Sequence, residues 1–144
     1  MTPNRRQVHQ FLNKVKVWAA HEPNIRAVAL GGSHARDEAT ETSDLDLIII
    51  AREPLKYLRE TQWAQRFGTI DHQQFEEYGK VTSLRVWYSC GYEVEYGIAD
   101  ETWAALPVDE GTRQVLSDGI RIIFERGAIL SRLKRPTKGS EDLK

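Results

Sequence analysis

The chain predicts an α/β (α+β) fold, a small mixed β-sheet flanked by helices. Three observations carry this: an amphipathic run over residues 5–21, an unbroken apolar stretch from Leu47 to Ile50, and two strand-like segments on either side of Cys90-Gly91. In the first, Val8, Phe11, Leu12, Val15 and Trp18 recur at helical spacing and define one apolar face. Pro23 and Asn24 end that helix. Ile25 to Leu30 then reads as a short buried strand, broken by Gly31-Gly32-Ser33, with a short helix starting at Ser33. After a turn at Thr42-Ser43, Asp44 to Ala51 reads as a second strand. Its continuous apolar run predicts a central place in the sheet, covered on both faces. Pro54 opens a helix expected to reach about Phe67, where Gly68 stops it. Residues 69–80 are polar and define no clear element. Val81 to Ser89 and Tyr92 to Ala99 predict a hairpin turning at Cys90-Gly91. Short helices at Glu101–Leu106, Thr112–Ser117 and Ala128–Leu133, and a strand at Ile120–Phe124, complete the reading.

Bulk properties bound what such a fold does. The 144 residues fit a single domain, expected over residues 1–134, with a polar and disordered tail at 135–144. Twenty Lys and Arg stand against 21 Asp and Glu. A protein that grips long nucleic acid needs a basic surplus to neutralise phosphates, so no long nucleic acid is expected as ligand. Cys90 is the single cysteine, which excludes an intrachain disulfide and a cysteine-based zinc site. The start, Met-Thr-Pro-Asn-Arg-Arg, leads into no apolar core, and no apolar run reaches membrane-spanning length. A cytoplasmic protein, with no membrane partner, is the expectation. The histidines His9, His21 and His72 show no metal-ligand spacing, His34 reads as a surface residue, and Trp18, Trp63, Trp87 and Trp103 read as core or interface. The chain contains no GxxxxGK, GxGxxG, HExxH or GxSxG motif.

The chemistry concentrates in Leu30-Gly31-Gly32-Ser33 and, ten residues on, Asp44-Leu45-Asp46-Leu47. Strand side chains alternate faces, so Asp44 and Asp46 point the same way. Two neighbouring carboxylates repel each other, and the pair makes sense with cations between them. Oxygen ligands suit Mg²⁺, and two such ions can clamp an in-line phosphoryl displacement. Gly31 and Gly32 allow close backbone approach to a phosphate, a helix starting at Ser33 would aim free N–H groups at an anion, and Arg36 would add charge one turn later. A third carboxylate is expected from a neighbouring strand. Glu93 and Glu95 share one face of Tyr92–Ile98, opposite Tyr92, Val94 and Tyr96, and either could complete the site or act as a base. A Gly-Gly-Ser turn alone is only a turn, and an Asp-x-Asp alone is a solvated strand end. Together, ahead of Ile48-Ile49-Ile50, they point to a functional site.

Gly32-Ser33 followed by Asp44-x-Asp46 resembles the defining motif of the DNA polymerase beta-like nucleotidyltransferase superfamily. The likeness is to the small bacterial and archaeal minimal nucleotidyltransferases, related to the aminoglycoside nucleotidyltransferases. It is specific over residues 28–50 and weaker over 91–98. It implies a nucleotidyltransferase fold and a metal-dependent transfer of a nucleoside monophosphate from an NTP, ATP being the expected donor, to an acceptor hydroxyl. Two Mg²⁺ (or Mn²⁺) would be held by Asp44, Asp46 and a third acid. By the family's apolar–acid–apolar pattern, Val94-Glu95-Tyr96 makes that acid Glu95, although the family more often has Asp there. Gly31, Gly32, Ser33 and Arg36 would hold the triphosphate. Some small members that resemble this chain are antitoxins paired with a helical toxin. The resemblance therefore also allows an interaction protein, or a nucleotide-binding module without turnover. Larger relatives close the site with a helical domain. Only 45 residues follow Ala99, so the missing wall is expected from a homodimer or a small helical protein partner, docked through the tryptophans and the apolar face of the first helix.

Overall fold

The computed structural model describes residues 5–32, 44–78, 81–104, 113 and 119–131. The first helix, α1, runs Arg5–Ala20 and buries Val8, Phe11, Leu12, Val15, Trp18 and Ala19, the face its periodicity predicts. It ends on turn bonds from the His21 and Glu22 amides to the Trp18 and Ala19 carbonyls. The Arg126 guanidinium reaches the Ala19, Ala20 and Glu22 carbonyls at 3.2–3.3 Å. A cation at the C-terminal end of a helix satisfies orphan carbonyls and complements the helix dipole.

Six strands form one sheet: β1 (Ile25–Gly31), β2 (Leu45–Ala51), β3 (Ile70–Tyr78), β4 (Val81–Tyr88), β5 (Glu93–Ala99) and β6 (Arg121–Glu125). Their order is β3-β4-β5-β2-β1-β6. Only β2 and β5 run parallel; the other pairs are antiparallel. The apolar strand β2 is interior to the sheet, as its sequence predicts. Leu45, Leu47 and Ile49 join the α1 core on one face, with Val94, Tyr96 and Ile98 of β5 and Leu84, Val86 and Tyr88 of β4. On the other face Ile50, with Ile48 beside it, packs in a smaller cluster with Ala27, Ala29, Ala99, Trp103, Ile120 and Leu130.

Several expectations change. The helix expected from Pro54 to Phe67 is two pieces: α2 (Leu55–Arg59) and a 3₁₀ turn (Gln62–Phe67), separated where Glu60 is extended. Six residues along one straight helix would leave Tyr57 and Trp63 about 120° apart. The break lets both rings meet Trp18, Trp63 stacked at 5.3 Å and Tyr57 edge-on at 5.9 Å, while the Trp63 indole donates to the Tyr57 carbonyl at 2.9 Å. Residues 69–80, left without an element, hold the edge strand β3, paired to β4 from Ile70 to Tyr78. The apolar face of α1 and Trp18, Trp63 and Trp103 are buried within this chain's own core, so they do not form the docking patch expected of them. Of the helix expected over Glu101–Leu106, the described part is a 3₁₀ turn at Glu101–Ala104; of that expected over Ala128–Leu133, residues 128–130 are bend and turn and Ser131 is helical. The helix at Ser33, the turn at Thr42-Ser43, nearly all of Thr112–Ser117 and the tail from residue 132 lie outside the described residues.

Candidate metal and nucleotide site

The acids gather where β2 and β5 run side by side. Parallel pairing sets Asp46 beside Glu95, and antiparallel pairing sets Gly31 beside Asp46 and Arg85 beside Glu95. Paired residues share a face, so Gln74, Arg85, Glu95, Asp46 and Gly31 form one row across five strands. One oxygen from each of Asp44, Asp46 and Glu95 lies within 4.8 Å of the others. All three are half-buried, and β2 and β5 are anchored beneath them by Leu45, Leu47, Val94 and Tyr96 in the opposite core. There the Tyr96 and Tyr88 hydroxyls meet at 2.7 Å, and Tyr88 donates to the Ala64 carbonyl at 2.8 Å.

Crowding has an electrostatic consequence. The Asp46 carboxyl is pushed up to about 6, first by burial, then by the charges of Asp44 and Glu95, with only partial relief from Arg85. Three converging carboxylates, one reluctant to ionise, are a donor set of hard oxygens short of positive charge. That chemistry fits a divalent cation such as Mg²⁺ or Mn²⁺.

Gly32 abuts this set. Its φ is 67°, in the left-handed region, and a Cβ there would collide with the Asp46 carboxylate. The conformation favours glycine, and any side chain there would have to displace the Asp46 carboxylate. Gly31 ends β1 opposite Asp46. Ser33, His34 and Arg36 lie outside the described residues. Glu93 shares the face of Glu95 but stands apart from the three-acid group and bonds to Arg85 at 2.6 Å.

Sequence reasoning missed Arg85. Its guanidinium also lies 3.0 Å from Asp44 and 2.8 Å from Glu95. Burial works against its charge, yet the bonds to Glu93 and Asp44 and the charges of Glu95 and Glu76 outweigh that, so its pKa is raised and it stays protonated. Sequence reading also placed Trp87 in a core or interface. It is half-buried on the acidic side of the sheet, stacked on His72 at 4.3 Å. The alternation of Arg85 and Trp87 was visible in β4; which acid each would meet depended on register.

A family model described as streptomycin adenylyltransferase matches residues 5–97. Two proteins of Methanocaldococcus jannaschii, each bearing the name "Putative protein adenylyltransferase", are 36% and 34% identical over 53 residues. Those matches cover 37% of this chain and 54% of each relative, so the chain spans about half the length of the curated relatives it matches. Among solved structures, an aminoglycoside 6-adenyltransferase from Bacillus subtilis shares the fold, with a TM-score of 0.56 at 13% identity over 82% of this chain and 40% of that one. The family match takes in β1 to β5 up to Gly97, and with them Asp44, Asp46 and Glu95. On that match, the chain belongs to the streptomycin adenylyltransferase family, within the nucleotidyltransferase superfamily.

Proposed function

We propose that this chain moves a nucleoside monophosphate from an NTP, ATP in the first instance, to an acceptor hydroxyl, releasing pyrophosphate in a divalent-metal-dependent reaction. The observation that carries this reading is the convergence of Asp44, Asp46 and Glu95 within 4.8 Å on one face of the sheet. Asp44, immediately before β2, Asp46, within it, and Glu95, on β5, would hold Mg²⁺ or Mn²⁺, which supplies charge neutralisation at the reacting phosphate. Gly31, Gly32, Ser33 and Arg36 would receive the triphosphate, the glycines by letting the backbone come close. Glu95 is the acid we assign to drawing the proton from the acceptor hydroxyl or to completing the metal site. The chain's own contribution is then positioning and electrostatics rather than covalent chemistry. A second copy or a small helical protein that walls the site would have to dock elsewhere than the apolar face of α1, which the core already covers.

Calorimetry with Mg²⁺ and a non-hydrolysable ATP analogue tests the reading. Wild type is expected to bind both together, and Asp44→Asn with Asp46→Asn to lose binding by at least about a hundredfold. Equal binding by the double variant would place the site elsewhere.

A further inference from the structure

The transfer chemistry leaves Arg85 without a role, although its guanidinium lies among the acids. One terminal nitrogen, Nη1, bonds to Glu93 Oε2 at 2.6 Å and Asp44 Oδ2 at 3.0 Å. The other, Nη2, bonds to Glu95 Oε1 at 2.8 Å. Its Nε lies 3.5 Å from Glu76 Oε2. Two of these four acids, Asp44 and Glu95, belong to the group that converges for a metal. The other two, Glu76 and Glu93, do not. Arg85 therefore straddles the boundary between the metal-ligand set and a flanking pair of acids on β3 and β5.

A guanidinium and a divalent cation want the same oxygens and repel each other. A planar fork that bonds two carboxylates at once is among the stronger cationic partners a side chain can offer. A metal that takes Asp44 and Glu95 must replace those bonds and tolerate a positive charge a few ångströms away. We propose that Arg85 is an internal competitor for the metal, holding Asp44 and Glu95 in the metal-free chain and moving off them when both ligate a divalent cation. The inference rests on the reading of Asp44, Asp46 and Glu95 as the metal site. Glu76 and Glu93 remain within the guanidinium's reach, so the displaced charge keeps partners on the flank. A triphosphate arriving with the metal adds anionic oxygens to the same face. Metal and nucleotide then favour each other's binding, and a metal ion alone binds weakly.

Titration of the metal-free protein with Mn²⁺ alone, read by the electron paramagnetic resonance signal of free Mn²⁺, tests this without any turnover. Arg85→Gln is expected to bind Mn²⁺ about tenfold or more tighter than wild type, the scale of one charge-assisted hydrogen bond. Arg85→Lys keeps the charge but not the fork and is expected to fall between the two. Equal or weaker binding by Arg85→Gln overturns the proposal. Should Arg85→Gln fail to fold, Arg85→Gln with Glu93→Gln, which removes an acid along with the base, is compared with Glu93→Gln alone, and the same tightening is expected. Asp44→Asn with Asp46→Asn separates the two levels of argument. If that variant binds Mn²⁺ as wild type does, the metal site itself is wrong. If it loses Mn²⁺ while Arg85→Gln gains nothing, only the role of Arg85 falls.

Discussion

Asp46 is the residue on which the acidic face bears hardest. Its neighbours across the sheet are Gly31 and Glu95, and its carboxyl, pushed up to about 6, gives the metal-free protein a distinct pH response. Between the ordinary value of 3.8 and about 6, the folded chain retains a proton that the unfolded chain has released. Linkage then makes folding less favourable as pH rises through that window, and the penalty levels off above it. Asp46→Asn carries no such charge. In urea unfolding with the metal chelated, its stability relative to wild type is expected to rise by about 1 kcal/mol between pH 5 and pH 7, since the carboxyl is partly open to water and screening trims the effect. A difference that stays flat across that range would mean Asp46 ionises as an ordinary aspartate. Gly32 shows the same crowding from the other side, since the space a side chain would need is filled by the Asp46 carboxylate.

At the scale of elements, the segment from Pro54 to Gly68 shows how tertiary packing overrides local preference. Its sequence supports one helix, yet the chain breaks at Glu60 so that Tyr57, Trp63 and Phe67 all reach α1. Trp18 is the shared anchor: Trp63 stacks on it at 5.3 Å and Phe67 meets it edge-on at 5.6 Å. Truncating this ring removes both a large apolar area and the reason for the break. Trp18→Ala is expected to destabilise the protein by about 3–5 kcal/mol in chemical denaturation. A loss below about 1 kcal/mol would show that α1 does not hold this segment. The edge strand β3 obeys a different rule. It is polar along most of its length because much of it faces water, and it becomes a strand through its pairing with β4.

At the scale of the whole molecule, the sheet is two-faced. One face is sealed by α1, α2 and the 3₁₀ turn over an aromatic core; the other carries the acids of β2 and β5 beside a smaller apolar cluster around Trp103 and Leu130. The net charge of −1 hides this polarity. Asp44, Asp46, Glu76, Glu93 and Glu95 meet on one face around Arg85. Ligands that neutralise this face should stabilise the entire fold. At about a hundred times its dissociation constant, a ligand that binds only the native state adds about 2.7 kcal/mol. For a chain of this size, Mn²⁺ with a non-hydrolysable ATP analogue is therefore expected to raise the melting temperature by about 6–10 °C. Asp44→Asn with Asp46→Asn should show no rise; a rise equal to wild type would locate binding away from these acids. Among the described residues, no helix is long and apolar enough to cross a membrane.

What the sequence determined by itself was periodic or local. The spacing of Val8 to Trp18 specifies the buried face of α1, and the apolar run after Asp46 specifies an interior strand, because burial demands a pattern that single residues reveal. The alternation of Asp44 with Asp46 and of Glu93 with Glu95 puts each pair on one face, a consequence of the pleat alone. What only the tertiary structure decided was register. A two-residue turn at Cys90-Gly91 would pair Ser89 with Tyr92 and set Val86 opposite Glu95. The structure instead pairs Tyr88 with Tyr92 through a 2.8 Å amide–carbonyl bond and sets Arg85 opposite Glu95. A slip of one residue turns a strand's side chains to the other face. In the two-residue register, the core residues Leu84, Val86 and Tyr88 would share a face with the acids, and Arg85 would lie in the apolar core. Burial of Leu84, Val86 and Tyr88 beside Val94 and Tyr96 selects the register, and that choice, made on the apolar face, delivers the arginine to the acids on the other.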